Sequence, residues 1–174
     1  MNFPRILKKR KGYIDRIKPF MQKSVAKVLT GQRRVGKSFL LYQLIEEILA
    51  EEPDANIIYV NLEDFTFSSL QTAEDLHSYI ISHSKEKVKN YIFIDEIQDI
   101  PGFEKVIRSL LLNEDNDIYI TGSNAKMLSG ELATYLSGRY IEFKIYSLSY
   151  SEFLEFHGLT ESETSYELYS RYGG

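Results

Sequence analysis

Nine consecutive residues, Thr30-Gly31-Gln32-Arg33-Arg34-Val35-Gly36-Lys37-Ser38, constrain this chain more than any other stretch. From Gly31 they spell G-x-x-x-x-G-K-S, the spacing of a phosphate-binding loop. Ahead of them Val25-Ala26-Lys27-Val28-Leu29 has the length and branching of a buried strand. Behind them Phe39, Leu40, Leu41, Leu44, Ile45, Ile48 and Leu49 recur at helical spacing. Strand, glycine loop and helix in that order are the context the motif needs. The loop's backbone N–H groups and the helix N-terminus then converge on an anion. Lys37 reaches its terminal phosphates and the Ser38 hydroxyl holds Mg²⁺. A chance Gly-rich turn ending in Lys-Ser would leave both flanks unexplained. The nucleotide contacts are expected along Gly31, Gln32, Arg33, Arg34, Val35, Gly36, Lys37, Ser38 and Phe39.

With 174 residues the chain suits one domain with a real core. No apolar run approaches the ~18 residues of a membrane helix, and no secretory apolar segment follows Met1. Cysteine is absent, which excludes a disulfide framework and cysteine-ligated zinc. The default location on this reading is the cytoplasm. The net charge of −4 hides an asymmetry: residues 1–18 carry +6 and the remainder −10. A basic arm over residues 1–11, with Lys8-Lys9-Arg10-Lys11 at its heart, suits nucleic-acid contact or simple solvation. The acidic body does not suit a duplex.

Read in order, Tyr13, Ile14, Ile17, Phe20 and Met21 predict a short helix or turn packed on the core. The helix after the loop stops near Glu51-Glu52-Pro53, because proline breaks it. Apolar runs at 56–62, 91–97 and 117–124 read as further strands, and 139–145 alternates as a fifth. Helical stripes fall between them at 70–81, 103–111 and 128–136, and two short helices follow at 150–156 and 161–171. Strands alternating with helices argue a parallel sheet covered on both faces. The core occupies 12–146, and 147–174 begins a helical region that the closing Gly173-Gly174 suggests is cut from a longer protein.

Ligands of such sheets sit at the C-terminal ends of strands. Asp95 ends a strand of four apolar residues, where a carboxylate holds Mg²⁺, and Glu96 is placed to polarise a water. A turn cap is the plainer account of the pair, weakened by the loop upstream. Ser123 and Asn124 end the next strand, and either can bond the γ-phosphate and the attacking water; a turn cap is again the alternative. Arg139 follows Ser137-Gly138 and is either a solvated strand start or an arginine offered to a neighbouring subunit's nucleotide. Arg33 and Arg34 add positive potential near the triphosphate, or one of them pairs with Glu63 or Asp64. His77, His83 and His157 show no metal-ligand spacing.

These motifs, together with I-Y-V-N-L-E-D, I-F-I-D-E-I-Q and S-G-E-L-A-T-Y-L-S-G-R, closely resemble the AAA+-like ATPases of bacteria and archaea. In that family an ATPase core precedes a C-terminal region of unknown function. The resemblance covers roughly residues 12–174. It implies an α/β P-loop core of the additional-strand type, a three-layer sandwich with a five-stranded parallel sheet ordered 5-1-4-3-2. It further implies ATP with Mg²⁺, Lys37 and Ser38 as Walker A, Asp95 and Glu96 as Walker B, Ser123 or Asn124 as sensor, and Arg139 as the family's arginine, acting in trans within a homo-oligomer.

Three functions then compete. The first is Mg²⁺-dependent ATP hydrolysis with Glu96 activating water. The second is a nucleotide-gated module whose bound ATP alters a surface for DNA or a protein client, through the basic arm or the missing C-terminal region. The third, a small-molecule kinase, is opposed by Asp95-Glu96, because a water-activating carboxylate would waste ATP.

Overall fold

Alternation along the strands decides the layering. In β3 (Asn90–Asp95), Ile92 and Ile94 face one side of the sheet and Tyr91 and Phe93 the other. The computed structural model describes residues 8–123 and 134–173. Within them five strands pair in parallel throughout: β1 (Ala26–Gly31), β2 (Asn56–Asn61), β3, β4 (Asn116–Ser123) and β5 (Tyr140–Lys144), in the order β2-β3-β4-β1-β5. This is the expected 5-1-4-3-2 order, with β4 inserted between the loop strand β1 and the carboxylate strand β3.

Helices cover both faces. On one lie α1 (Lys11–Ile17) and α2 (Lys37–Glu51), where Ile14, Ile17, Leu41, Leu44 and Ile48 pack with Leu29, Phe93 and Tyr119. On the other lie α3 (Ala73–His83) and α4 (Phe103–Leu110), whose Leu76, Ile80, Val106 and Ile107 meet Val28, Ile58, Ile92 and Ile120. Burying each such aliphatic side chain contributes roughly 1.5–3 kcal/mol before chain entropy is counted. Two more helices follow β5: α5 (Tyr150–His157) and α6 (Glu163–Tyr172). Within the expected helix at 128–136, residues 128–133 lie outside the described residues, while Leu136 is buried.

The one charge in the first strand also goes inside. Lys27 is fully buried, pairs with the equally buried Asp117 and sits over the Tyr119 ring. Burial lowers its pKa, and Asp117 opposes that shift. Two buried ions are tolerated here because each has a partner.

The basic segment is not a free cationic arm where it is described. Arg10 is only 5% exposed. Its guanidinium donates to Glu152 Oε1 and Oε2 at 2.8 and 3.0 Å, to the Val35 carbonyl at 3.0 Å and to the Tyr146 carbonyl at 2.9 Å. Its backbone N–H donates to Gln43 Oε1 on α2 at 2.9 Å, and Lys9 pairs with Glu47 at 2.5 Å. Sequence spacing does not separate this buried arginine from its solvated neighbours. Arg10 thus ties the phosphate loop and α2 to the start of α5, where Ser149 and Glu152 form a reciprocal helix cap.

Burial by itself would raise the Glu152 carboxyl, but hydrogen bonds from Arg10 and the Ser149 N–H outweigh it and hold the pKa below the usual range. A depressed carboxylate stabilises the fold above its unfolded pKa of about 4.3, and the contribution is lost as pH falls through the folded value. Glu152→Gln should therefore cost about 1–2 kcal/mol at pH 7. In urea unfolding, the gap between variant and wild type should narrow steadily below pH ~4.

Candidate functional site

The loop leaves β1 under tight steric control. A Cβ on Gly31 would lie 2.4 Å from the Ile145 carbonyl oxygen, so only glycine lets β1 pass this close to the chain leaving β5. The Ile145 N–H donates to the Thr30 carbonyl at 2.7 Å and locks that approach. At the other end Gly36 takes φ +90° and turns the chain into α2, a conformation favoured by the absence of a side chain. Lys37 and Ser38 therefore stand in the first turn of a 15-residue helix whose N-terminus faces the cleft.

Lys37 is 4% exposed, its stem packed and its ammonium folded back over the loop. It donates to the carbonyls of Gly31 and Gln32 at 3.3 and 3.1 Å. Its third partner is Glu96 Oε1, also at 3.3 Å. The two residues that the sequence places on different motifs meet directly. Glu96 holds φ +56°, a strained conformation for a residue with a side chain, at the point where β3 gives way to a 3-10 turn (Ile97–Asp99).

Asp95, one residue earlier, is 1% exposed. Its Oδ1 accepts a short hydrogen bond from the Thr121 hydroxyl, its Oδ2 accepts from the Tyr59 hydroxyl at 3.2 Å, and Ser38 bonds the same carboxylate. Burial pushes the Asp95 carboxyl above the usual range. These hydrogen bonds pull it back, while the charge on Glu96 adds to the rise. Ser38 and Asp95 thus present oxygen donors side by side, the donor chemistry that Mg²⁺ selects.

Two further residues, Thr121 and Gln98, contribute without a motif of their own in the sequence. Thr121 lies on β4 beside Asp95, and its oxygen also accepts the Glu96 backbone N–H at 3.0 Å. One hydroxyl therefore fixes both acidic residues. Its signal in the sequence was a threonine two positions before Ser123, on the same face of the strand. Gln98 Nε2 donates to Glu96 Oε2 at 2.7 Å, and no periodicity marks it.

The remaining predicted residues divide. Ser123 sits at the cleft end of β4 in register with Gly31, and Asn124 lies outside the described residues. Arg33 pairs with Glu63 at 2.5 Å across the mouth, one of the pairings left open by the sequence. Both side chains are exposed, so the pair contributes about 0–1 kcal/mol. Arg33, Gly36, Lys37, Ser38, Glu63 and Glu96 line a cleft of about 760 Å³. A second hollow of about 430 Å³ adjoins it, where Val35, Phe39, Gln43, Leu148 and Phe156 give a largely apolar wall. Phe39, 49% exposed, borders both.

Arg139 is not brought to this cleft. Its carbonyl accepts the Ala26 N–H at 2.9 Å, at the start of β1. Ala26 and Gly31 are the two ends of β1, roughly 17 Å apart at ~3.3 Å rise per residue. The arginine is exposed. Among the described residues no group of three or more His, Asp or Glu is placed to hold a metal. No helix of the described chain is long and apolar enough to cross a membrane.

A parallel sheet with an inserted strand, a glycine loop leading into α2 and two carboxylates where β3 ends define an additional-strand P-loop protein. The chain matches the model of the AAA domain family over residues 23–154, and it belongs to that family. It is 41% identical over 176 residues to an uncharacterized protein of Haemophilus influenzae, covering 95% of this chain and 43% of the relative. The chain thus spans less than half the length of that relative. Its fold is similar to Saccharomyces cerevisiae Hsp104 in an extended complex with casein (TM-score 0.64, 15% identity, 94% of this chain and 31% of that one). It is also similar to AMPPCP-bound DnaA of Aquifex aeolicus (TM-score 0.55, 15% identity, 94% and 57%). Family and fold together support a nucleotide-binding, ATPase-like function.

Thr121→Val keeps the shape but strands the buried Glu96 N–H and removes a donor to Asp95. The variant should lose about 1–3 kcal/mol of stability in denaturant unfolding. A loss under about 0.5 kcal/mol, the range of ordinary surface substitutions, would show that this hydroxyl does not anchor the two carboxylates.

Proposed function

We propose that this chain binds ATP with Mg²⁺ and hydrolyses it, with Glu96 activating the water. The observation that carries the reading is the meeting of Lys37 and Glu96 at 3.3 Å above a loop whose next residue, Ser38, bonds Asp95. The proposed phosphate ligand Lys37, the proposed base Glu96 and Ser38 line one cleft, with Asp95 buried behind Ser38.

The triphosphate lies along the loop from Gly31 to Ser38, where backbone N–H groups and the α2 N-terminus stabilise its charge. The adjoining hollow takes the base, stacked or edged by Phe39 and bounded by Val35 and Leu148. Ser38 and Asp95 would hold Mg²⁺, which would supply positive charge to offset that of the triphosphate. Lys37 exchanges Glu96 for phosphate oxygens. Water then attacks the γ-phosphorus, the bond to the β–γ bridging oxygen breaks, and the water proton passes to Glu96. The products are ADP and inorganic phosphate. Ser123, the last residue of β4, or Asn124 after it in the sequence orients the water.

Arg139 acts on a neighbour's nucleotide rather than its own, which agrees with its exposure at the far end of β1. The catalytic form on this reading is a cytoplasmic homo-oligomer of ATPase cores, residues 12–146, with 147–174 leading into further structure. Hsp104 is seen with a protein and DnaA with a nucleotide analogue, and a protein client is proposed here by analogy with the first.

A second reading, a nucleotide-gated module with little turnover, draws on the same ion pair. Glu96 pairs with Lys37, the residue that phosphate would claim, so on this reading nucleotide binding and release of the carboxylate are coupled.

One experiment separates the readings: Mg·ATP hydrolysis over a wide protein concentration series, beside Lys37→Ala, Glu96→Gln and Arg139→Ala. Lys37→Ala should weaken ATP binding about 10–100-fold without unfolding the protein. Glu96→Gln should keep affinity and lose turnover about 10²–10⁴-fold. Arg139→Ala should flatten a specific activity that otherwise rises with concentration. Tight binding with negligible turnover at every concentration would favour the gated module, and unchanged affinity in Lys37→Ala would sink the loop assignment.

A further inference from the structure

Gln98 bridges two elements that the hydrolytic reading requires to stay in register. It lies in the 3-10 turn two residues beyond Glu96 and is half-buried. Its Nε2 donates to Glu96 Oε2 at 2.7 Å, while its Oε1 accepts the Ser123 backbone N–H at 3.2 Å. The partners fix the amide's orientation, because a carboxylate only accepts and an N–H only donates. Lys37 holds the other oxygen, Oε1, at 3.3 Å. Each oxygen of Glu96 therefore has its own partner, and one of the two, Lys37, is also the ligand that incoming phosphate claims.

We propose that Gln98 is the positioning residue for Glu96. Its amide retains Oε2 when Lys37 moves to phosphate, so Oε1 is released toward the cleft and takes the proton of the attacking water. The proposal deepens the ATPase reading of the same site and rests on it. Lys37 and Gln98 both engage this carboxylate, so Gln98 is the described partner that remains once Lys37 has left. Its other end is fixed to the last residue of β4, the strand that carries the predicted sensor. Glu96 is thereby held at a set distance from Ser123, as a base and a sensor addressing one water must be. The competing account is a turn brace: the amide closes the strained exit from β3 and has no part in turnover.

Two substitutions distinguish the accounts. Gln98→Ala removes the hydrogen bonds to Glu96 and Ser123, along with a long one to Asp99. Gln98→Glu preserves shape and the acceptor for the Ser123 N–H, but replaces the donor to Glu96 with a second negative charge. Steady-state hydrolysis of Mg·ATP would be measured for wild type, both variants and Glu96→Gln, with ATP and ADP affinities and thermal midpoints alongside. The proposal expects kcat to fall about 10-fold or more in both variants, part of the ~10²–10⁴ that a placed general base contributes. KM and both affinities should stay within about twofold of wild type, and Gln98→Glu should turn over no faster than Gln98→Ala. A lowered thermal midpoint with unchanged kcat, or wild-type turnover in Gln98→Glu, would overturn the proposal and leave the ATPase reading standing. Absence of Glu96-dependent turnover in wild type would overturn the reading itself, and the positioning role with it.

Discussion

The passage of β1 under the chain leaving β5 is the constraint on which the rest depends. At Gly31 the backbone comes so close to the Ile145 carbonyl that no side chain fits. The loop that follows must rise over the C-terminal edge of the sheet and return through Gly36 into α2. That path puts Lys37 above the loop's own carbonyls and within reach of β3's terminal carboxylates. A side chain at Gly31 would disturb the β1–β5 contact and the loop together, because they are one packing event.

From that point the site is built by neighbours in the sheet rather than in the sequence. β4 lies between β1 and β3, so Thr121 can bond Asp95 and the Glu96 N–H while Ser123 stands beside Gly31. The inserted strand is therefore the physical link between loop and carboxylates. Arg10 performs a comparable service on the outer side. It joins the Val35 carbonyl of the loop to Glu152 at the start of α5, and the first described residues are thereby tied to the helices after the sheet. A change in the loop has a direct mechanical route to α5 through one guanidinium.

Most of the frame was legible in the sequence because it depends on local signals. Gly31, Gly36 and Lys37 announce the loop through conformational needs that few other residues meet. The strands announce themselves through apolar runs, and Asp95 through its place at the end of one. What stayed hidden depends on pairing across the sheet or on a single long side chain. Thr121 reads as an ordinary strand residue until β4 is set against β3. Gln98 has no period to betray it. Arg10 looks like its neighbours Lys9 and Lys11, and only the fold shows that one is buried among carbonyls while Lys11 is exposed. Arg139 was legible as the residue that opens the fifth strand, and its carbonyl does meet the start of β1, at the end of the sheet away from the loop.

The account's central claim is that phosphate recognition by the loop organises this site. The most direct test compares equilibrium binding of ATP, inorganic triphosphate and adenosine to the nucleotide-free protein in the presence of Mg²⁺. The account predicts saturable binding of ATP, weaker but measurable binding of triphosphate, and adenosine weaker than either. Adenosine binding as tightly as ATP, or triphosphate failing to compete with ATP, would contradict it.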